Sequence, residues 1–448
     1  MTSAAVMKAK PSDAPGAVLG LLSQVTCPHC WERFAPEQVL WISEHVDLLG
    51  DPLLGPEQQQ RFLPSRFTID GDALDSRGMT CRSLACPQCH LPIPRAMLEM
   101  EPLFVSILGA PASGKSYLLT AMTWQMRQVL PHHFKVAFTD ADPVSNRALN
   151  ECEESLFLHP DDGALVPLGG LIRKTELQGE LYDTVAYGQQ TVSYPRPFLF
   201  TMQPREDHPG GPGKTPARML CLYDNAGEHF QPGQDTTSSP VTRHLAQSRA
   251  ILFLFDPTQD PRFRAASRGT NGVGKAQRAA RMSRQETILN EAAARIRRYA
   301  GLSQGAKYER PVIVILSKFD EWAHLFDHDP GEPWKTHGNL TGVDLERIEQ
   351  MSARLHHVLM KFCPETVAAA EAFAKNITYI AVSSLGKQVE IDPATGLTGI
   401  RPGNIQPHWV TVPLLYALAR VQPALILRLI RRSAEAKRTA SPANAKAT

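Results

Sequence analysis

The sequence predicts an α/β fold: a mostly parallel sheet flanked by helices, preceded by a small metal-binding module. Three observations carry that expectation. Six short apolar runs, LFVSIL, FLFTM, RMLCLY, AILFLF, PVIVIL and ITYIAV, alternate with helical patterns between about residues 103 and 385. The first of them runs straight into a Gly-rich loop that opens a helix. Upstream of all six stand two C-P-x-C pairs.

The runs are rich in β-branched and aromatic residues and bounded by turn formers, the signature of buried strands. Strands alternating with helices favour a parallel sheet. A length of 448 residues suggests two or three domains. The composition divides the chain into an Ala-, Pro- and Ser-rich tail (1–24), a cysteine segment (25–100), the α/β part (101–390), and a C-terminal helical segment with a disordered tail (391–448). Within the α/β part, 132–196 and 262–284 read as insertions, and no internal repeat is apparent.

Lys and Arg number 47 against 45 acids, a balance that excludes a surface built throughout for nucleic acid. The lead MTSAAVMKAKPSDAPGAVLGLLSQ has no secretory pattern. The most apolar stretch near the C-terminus is broken by Arg420, Gln422 and Pro423, so no transmembrane segment is expected. Eight Cys, four of them in CxxC pairs, point to metal chemistry in a reducing, cytoplasmic setting.

In LFVSILGAPASGKSYLL, Gly109, Gly114, Lys115 and Ser116 fit G-x-x-x-x-G-K-[ST] between a strand and a helix. A chance Gly-rich turn is the competing reading, and that context disfavours it. The loop Gly109, Ala110, Pro111, Ala112, Ser113 and Gly114 can wrap backbone N–H groups around phosphates, with Tyr117 continuing the helix N-terminus. Lys115 reaches the β- and γ-phosphates and the Ser116 hydroxyl ligates Mg²⁺.

Further on, RMLCLYDNAGEHF ends a strand on Asp224, whose carboxylate can hold Mg²⁺ through water, and Gly227 offers an N–H to a γ-phosphate. VIVILSKFDEW follows a strand with Lys318, which can lie along a base or brace the phosphate loop, and Asp320, which can accept from N1–H and the 2-amino group of guanine. Taken alone, these two residues read as solvated surface charge. In YIAVSSLGK, Ser383 and Ser384 can bring N–H groups to the guanine oxygen.

In order, GAPASGKS, DNAG, SKFD and VSS resemble the G1, G3, G4 and G5 motifs of translation-factor-like and Ras-like GTPases, over roughly residues 103 to 390. With its zinc-ribbon-like front end, DNAGE and insertions, the chain resembles the bacterial double-GTPase family (type 2). The resemblance implies a P-loop GTPase fold, GTP and GDP as ligands, Mg²⁺, and protein partners in an operon-encoded complex of bacterial conflict or phage defence. Two departures stand out. Ser317 occupies the place of the family's Asn or Thr, which predicts a weaker brace between loops. Glu228 replaces the Gln that orients water, which predicts slow hydrolysis, since a carboxylate beside a γ-phosphate is repelled unless paired or protonated; a plain surface residue is the competing reading. For the switch residue that completes Mg²⁺ coordination, Thr175 is preferred over Thr191, because TVSYP reads as strand. A scaffold with negligible turnover and a P-loop ATPase are the alternative readings.

Cys27, Cys30, Cys86 and Cys89 form two knuckles that can close a tetrahedral structural Zn²⁺ site. A redox role would need a βαβ setting that is missing here. Cys81, His29 and His90 read as non-ligands, and Cys152, Cys221 and Cys363 as buried apolar residues. Segment 262–284 carries seven Lys and Arg without an acid. It can be a solvated loop or contact an anionic partner; nucleic acid is not favoured, because only Phe263 interleaves the charges. The helix around Leu414–Ile430 is expected to pack on the core or a partner.

Overall fold

The structure, a computed structural model, describes residues 20–171, 182–211, 213–225, 230, 243–267, 284–326, 330–386, 389–392 and 395–429. Residues 1–19 of the expected tail 1–24, and 430–448 at the other end, lie outside them. The tail's last residues are described, and Leu22 N–H donates to the Leu98 carbonyl at 2.8 Å, which ties them to the cysteine segment.

Each of the six apolar runs forms a strand. The main sheet comprises β1 (Glu101–Gly109), β2 (Val136–Asp140), β3 (Phe198–Pro204), β4 (Arg218–Asp224), β5 (Ala250–Phe255), β6 (Val312–Leu316) and β7 (Ile377–Ala381). Their order is β2-β3-β4-β1-β5-β6-β7. Pairings β4–β1, β1–β5, β5–β6 and β6–β7 are parallel, while β2–β3 and β3–β4 are antiparallel. Every residue of β5 and β6 is buried, which is why these strands read as unbroken apolar runs rather than alternating ones. Because β1, β4, β5, β6 and β7 run the same way, their C-terminal ends share one edge, where open α/β sheets place their ligands.

Strand β2 lies inside 132–196, the segment expected as an insertion, yet it joins the main sheet at its edge. Only Val136 and Phe138 in VAFTD are buried, so the strand lacked the apolar run that marked the others.

The longer helices are α1 (Lys115–Val129), α2 (Arg147–Phe157), α3 (Gln285–Tyr299), α4 (Leu345–Phe362), α5 (Pro364–Phe373) and α6 (Val412–Val421). Helix α4 starts where the Asp344 carboxylate accepts from the Arg347 N–H at 3.2 Å, which satisfies a first-turn donor. Residues 412–419 of α6 are all buried in the same core as the sheet, so this helix packs inward. Among the described residues, no helix is long and apolar enough to cross a membrane.

Alternating residues of β3 and β4 divide between two cores. Phe198, Phe200, Leu220 and Leu222 share one with α1. Leu199, Met219, Cys221 and Tyr223, with Phe104 of β1, share the other with the cysteine segment. The N-terminal module therefore covers one face of the β3–β4–β1 region.

In that module, Val25–Thr26 pairs with Arg33–Phe34 and Leu84–Ala85 with Pro92–Ile93, each pair framing one C-P-x-C turn and followed by a short 3₁₀ turn. The expectation of no internal repeat is corrected here: the knuckle unit occurs twice. Only the Cys, the Pro and a few apolar positions are common to the two copies, too little to register as a repeat in sequence.

The basic segment also differs from a free loop at its described ends. Arg262 forks onto Glu365 (2.7 and 3.0 Å) and Asp260, Arg264 donates to the Thr258 carbonyl at 2.7 Å, and Arg284 pairs with Glu286. Residues 268–283 lie outside the described residues.

Candidate functional site

The Gly-rich loop leaves β1 and turns into α1 under tight local constraint. A Cβ on Gly109 would sit 2.5 Å from the Leu254 carbonyl oxygen of β5, so only glycine lets the two strands pair here. Ala112 and Gly114 take left-handed φ of 59° and 96°, which curls the loop. The Lys115 ammonium, almost buried, donates to the Gly109 and Ala110 carbonyls at 2.9 and 3.0 Å. Lys115, Ser116 and Tyr117 begin the helix, and first-turn N–H groups have no acceptor within a helix. The Tyr117 hydroxyl is already engaged, donating to the Leu168 carbonyl at 2.8 Å, so what that residue can offer a phosphate is its backbone.

Asp224 ends β4 in register with Ile107 of β1, beside this loop. It is 8% exposed, and its Oδ1 has no hydrogen-bond partner among the described residues; nor has the buried Ser113 hydroxyl. Burial pushes the Asp224 carboxyl above its usual range, with the Lys115 charge and the Ser116 hydroxyl drawing it partly back. A buried, unpartnered carboxylate oxygen beside a hydroxyl fits a hard divalent cation, so Ser116 and Asp224 could hold Mg²⁺.

The other end of the edge is built from β5, β6 and β7. Lys318, at a left-handed φ of 55°, follows β6, and its ammonium lies 2.6 Å from the fully buried Asp256 carboxylate at the end of β5. Gln259 Nε2 approaches both Asp256 Oδ2 (3.3 Å) and the Pro111 carbonyl of the phosphate loop (3.4 Å). Gln285 pairs both ways with the Asp256 backbone, at 3.0 and 2.8 Å. The Ser317 hydroxyl is buried with no hydrogen-bond partner among the described residues. The connection between the loop after β6 and the Gly109–Ser116 loop runs through Asp256 and Gln259, residues that sequence reasoning missed. A signal existed: Asp256 closes an apolar strand just as Asp224 does. Asp320 follows Lys318, and its carboxylate accepts from the Ser383 hydroxyl, which in turn accepts from Gly386 N–H at 3.0 Å. Ser384 lies next to it, half-buried.

Thr175, Gly227 and Glu228 lie outside the described residues. Thr191, the alternative to Thr175, sits in the hairpin of Tyr182–Tyr187 and Gln190–Pro195, paired with Ala186.

The four knuckle sulfurs are buried and lie within 4.8 Å of one another. Cys27 to Cys89 is 3.8 Å and Cys30 to Cys86 is 3.7 Å. Sulfurs at tetrahedral corners about 2.3 Å from a Zn²⁺ are about 3.8 Å apart, so the residues present fit the ion. The two knuckles repeat one geometry. His29 N–H and Gln88 N–H donate to Cys27 Sγ and Cys86 Sγ (3.3 and 3.4 Å), and Trp31 and His90 adopt φ of 61° and 60°. Hydrogen bonds from the neighbouring thiols draw the Cys86 thiol far down, while burial pushes that of Cys27 well up. The neighbours expected not to be ligands are otherwise engaged: His29 with the Pro92 carbonyl (3.0 Å), His90 with Asp51 (2.7 Å), and Cys81 with the Met79 carbonyl (3.6 Å).

No protein-family profile matches the chain. A Mycolicibacterium smegmatis protein that carries the provisional name ESX-1 scaffolding and assembly protein SaeC is 25% identical over 172 residues. That match covers 38% of this chain and 37% of the relative, little more than a third of its length. Similar solved structures include the GTPase-like domain of S. cerevisiae Ski7 bound to GTP (14% identity, TM-score 0.29, covering 74% of this chain and 52% of that one). Another is the signal recognition particle receptor SRb with GDP from Chaetomium thermophilum (12% identity, TM-score 0.23, covering 64% and 94%).

Proposed function

We propose that this chain is a Mg²⁺-dependent GTP-binding protein that hydrolyses GTP slowly on its own and acts as a switch for a protein complex. One observation supports this most: parallel strand ends bring the Gly109–Ser116 loop, Asp224, Lys318 with Asp320, and Ser383 to one edge of the sheet. Lys115 meets the phosphate charge and loop N–H groups cradle the phosphates. Ser116 and Asp224, with Thr175, are the residues for Mg²⁺, which neutralises charge between β- and γ-phosphates. Asp320, oriented by Ser383, accepts two hydrogen bonds from guanine, with Ser384 beside the guanine oxygen. Gly227 meets the γ-phosphate, and Glu228 orients the attacking water less well than Gln. The bacterial-conflict role rests on family resemblance. A second reading, a nucleotide-binding scaffold with negligible turnover, is favoured by Glu228 and by the scaffolding name of the mycobacterial relative.

Binding of fluorescent GDP and ADP analogues in Mg²⁺ tests the base assignment. The expected result is a GDP preference of at least about ten-fold that Asp320→Asn removes. Xanthosine diphosphate binding should improve in that variant, because xanthine carries a carbonyl where guanine has the 2-amino group, and an Asn amide can donate to it. Equal ADP binding, untouched by Asp320→Asn, refutes guanine recognition and favours an ATPase. Turnover of GTP too slow to separate from a Lys115→Ala control favours the scaffold.

A further inference from the structure

The aromatic residue after the first knuckle is not one of the four ligand cysteines, yet it ties the module to the main sheet. Knuckle geometry forces Trp31 to a left-handed φ of 61° and presents its indole to β4. Trp31 Nε1–H donates to the Tyr223 hydroxyl at 3.1 Å, and that hydroxyl donates to the Pro28 carbonyl, inside the same knuckle, at 2.6 Å. Tyr223 is fully buried and directly precedes Asp224. Successive strand residues point to opposite faces, so one is gripped from the module side while the next faces the phosphate loop.

Two further segments meet the same knuckle. Tyr194, in the hairpin that follows the Thr175 region, lies edge-on to Trp31 with centroids 5.8 Å apart. His29 stands 4.0 Å from Asp183 of that hairpin. His244, where the described chain resumes after the segment holding Gly227 and Glu228, stacks on Tyr223 at 4.5 Å and lies 5.7 Å from Trp31. The Arg243–Glu32 pair beside it is exposed and worth little.

We propose that the first cysteine knuckle is a positioning element of the nucleotide site, fixing through Trp31 and Tyr223 the strand end that carries Asp224. This rests on the nucleotide-binding reading above. Its consequence is a reciprocal coupling of affinities: an intact knuckle tightens binding of Mg²⁺-bound nucleotide, and bound nucleotide tightens the knuckle's hold on its metal, because linkage of binding free energies runs both ways. Such differences show mainly as slower release. Tyr223 and Trp31 act through Asp224 and do not themselves touch nucleotide.

The test uses the full chain with Tyr223→Phe, which keeps the ring and removes the hydroxyl, and Trp31→Phe, which leaves the Tyr223 bond to Pro28. Dissociation of a fluorescent GDP analogue is followed in Mg²⁺ and in EDTA, and zinc release is followed with a chromogenic chelator, with and without GDP. The expected result is release accelerated about ten-fold by Tyr223→Phe and less by Trp31→Phe in Mg²⁺, with no change in EDTA. GDP should slow zinc loss from the wild type and not from Tyr223→Phe. If Tyr223→Phe does not fold, Trp31→Phe decides alone. Unchanged release in Mg²⁺, or equal acceleration in EDTA, overturns the coupling while leaving the nucleotide reading intact. A wild type that binds no GDP refutes both.

Discussion

At the phosphate end of the candidate site, eight consecutive residues from Gly109 to Ser116 supply almost every group, and Asp224 arrives on the neighbouring strand. The base end instead draws on Asp256, Gln259, Ser317–Asp320 and Ser383, from three separate strand ends, tied together by one ion pair buried on its Asp256 side and a few side-chain hydrogen bonds. The first design is local, and its residues have one task. The second is tertiary, so a role lost at one position can be taken up at another. On the proposed reading, Asp256 and Gln259 would supply the link between the two loops that Ser317 does not make among the described residues.

The largest effect should come from the local end. Lys115→Ala removes the one charge in the loop and the ammonium that donates to the Gly109 and Ala110 carbonyls. GDP affinity should fall at least about 100-fold, about 2.8 kcal/mol, in a fluorescence titration. A fall below about ten-fold would mean that the phosphate end shares its task as the base end does.

Much of this contrast was legible in advance. The strands of the sheet announced themselves because both faces are buried, and the phosphate loop and knuckles because their chemistry sits on consecutive residues. Strand β2 did not, since an edge strand needs only Val136 and Phe138 inside. The partnership of Lys318 with Asp256 was hidden because nothing local marks a pair that closes only when β5 and β6 lie side by side. Trp31 and Tyr223 were likewise unreadable as partners, being separated by most of the sheet.

An intermediate effect is expected from Asp256→Asn. The substitution keeps the shape but leaves Lys318 without its counter-charge in a site where Asp256 is fully buried. Removing one partner of a fully buried pair costs about 3–5 kcal/mol. The Lys318 side chain is 37% exposed and can reach water, so the loss should be smaller. GDP affinity should drop about ten-fold, with a fall in Tm of a few degrees, and GTP should be affected equally because the change lies at the base end. A selective loss of GTP would show that the ion pair serves the γ-phosphate instead.

The smallest effects test the transfer itself. Gln259→Ala removes the amide that donates to the Pro111 carbonyl, a long hydrogen bond of 3.4 Å, and to Asp256, and should weaken GDP binding only about three-fold. Ser317→Asn supplies an amide where the buried hydroxyl has no partner among the described residues, and in the wild type it should change affinity by less than about two-fold if Gln259 already links the loops. In the Gln259→Ala background the same substitution should restore most of the loss. The quantity that matters is the difference between these two effects of Ser317→Asn, since a double-mutant cycle isolates coupling between neighbours. Equal effects in both backgrounds would mean that Gln259 merely packs against the loop, and that the base end is no more distributed than the phosphate end.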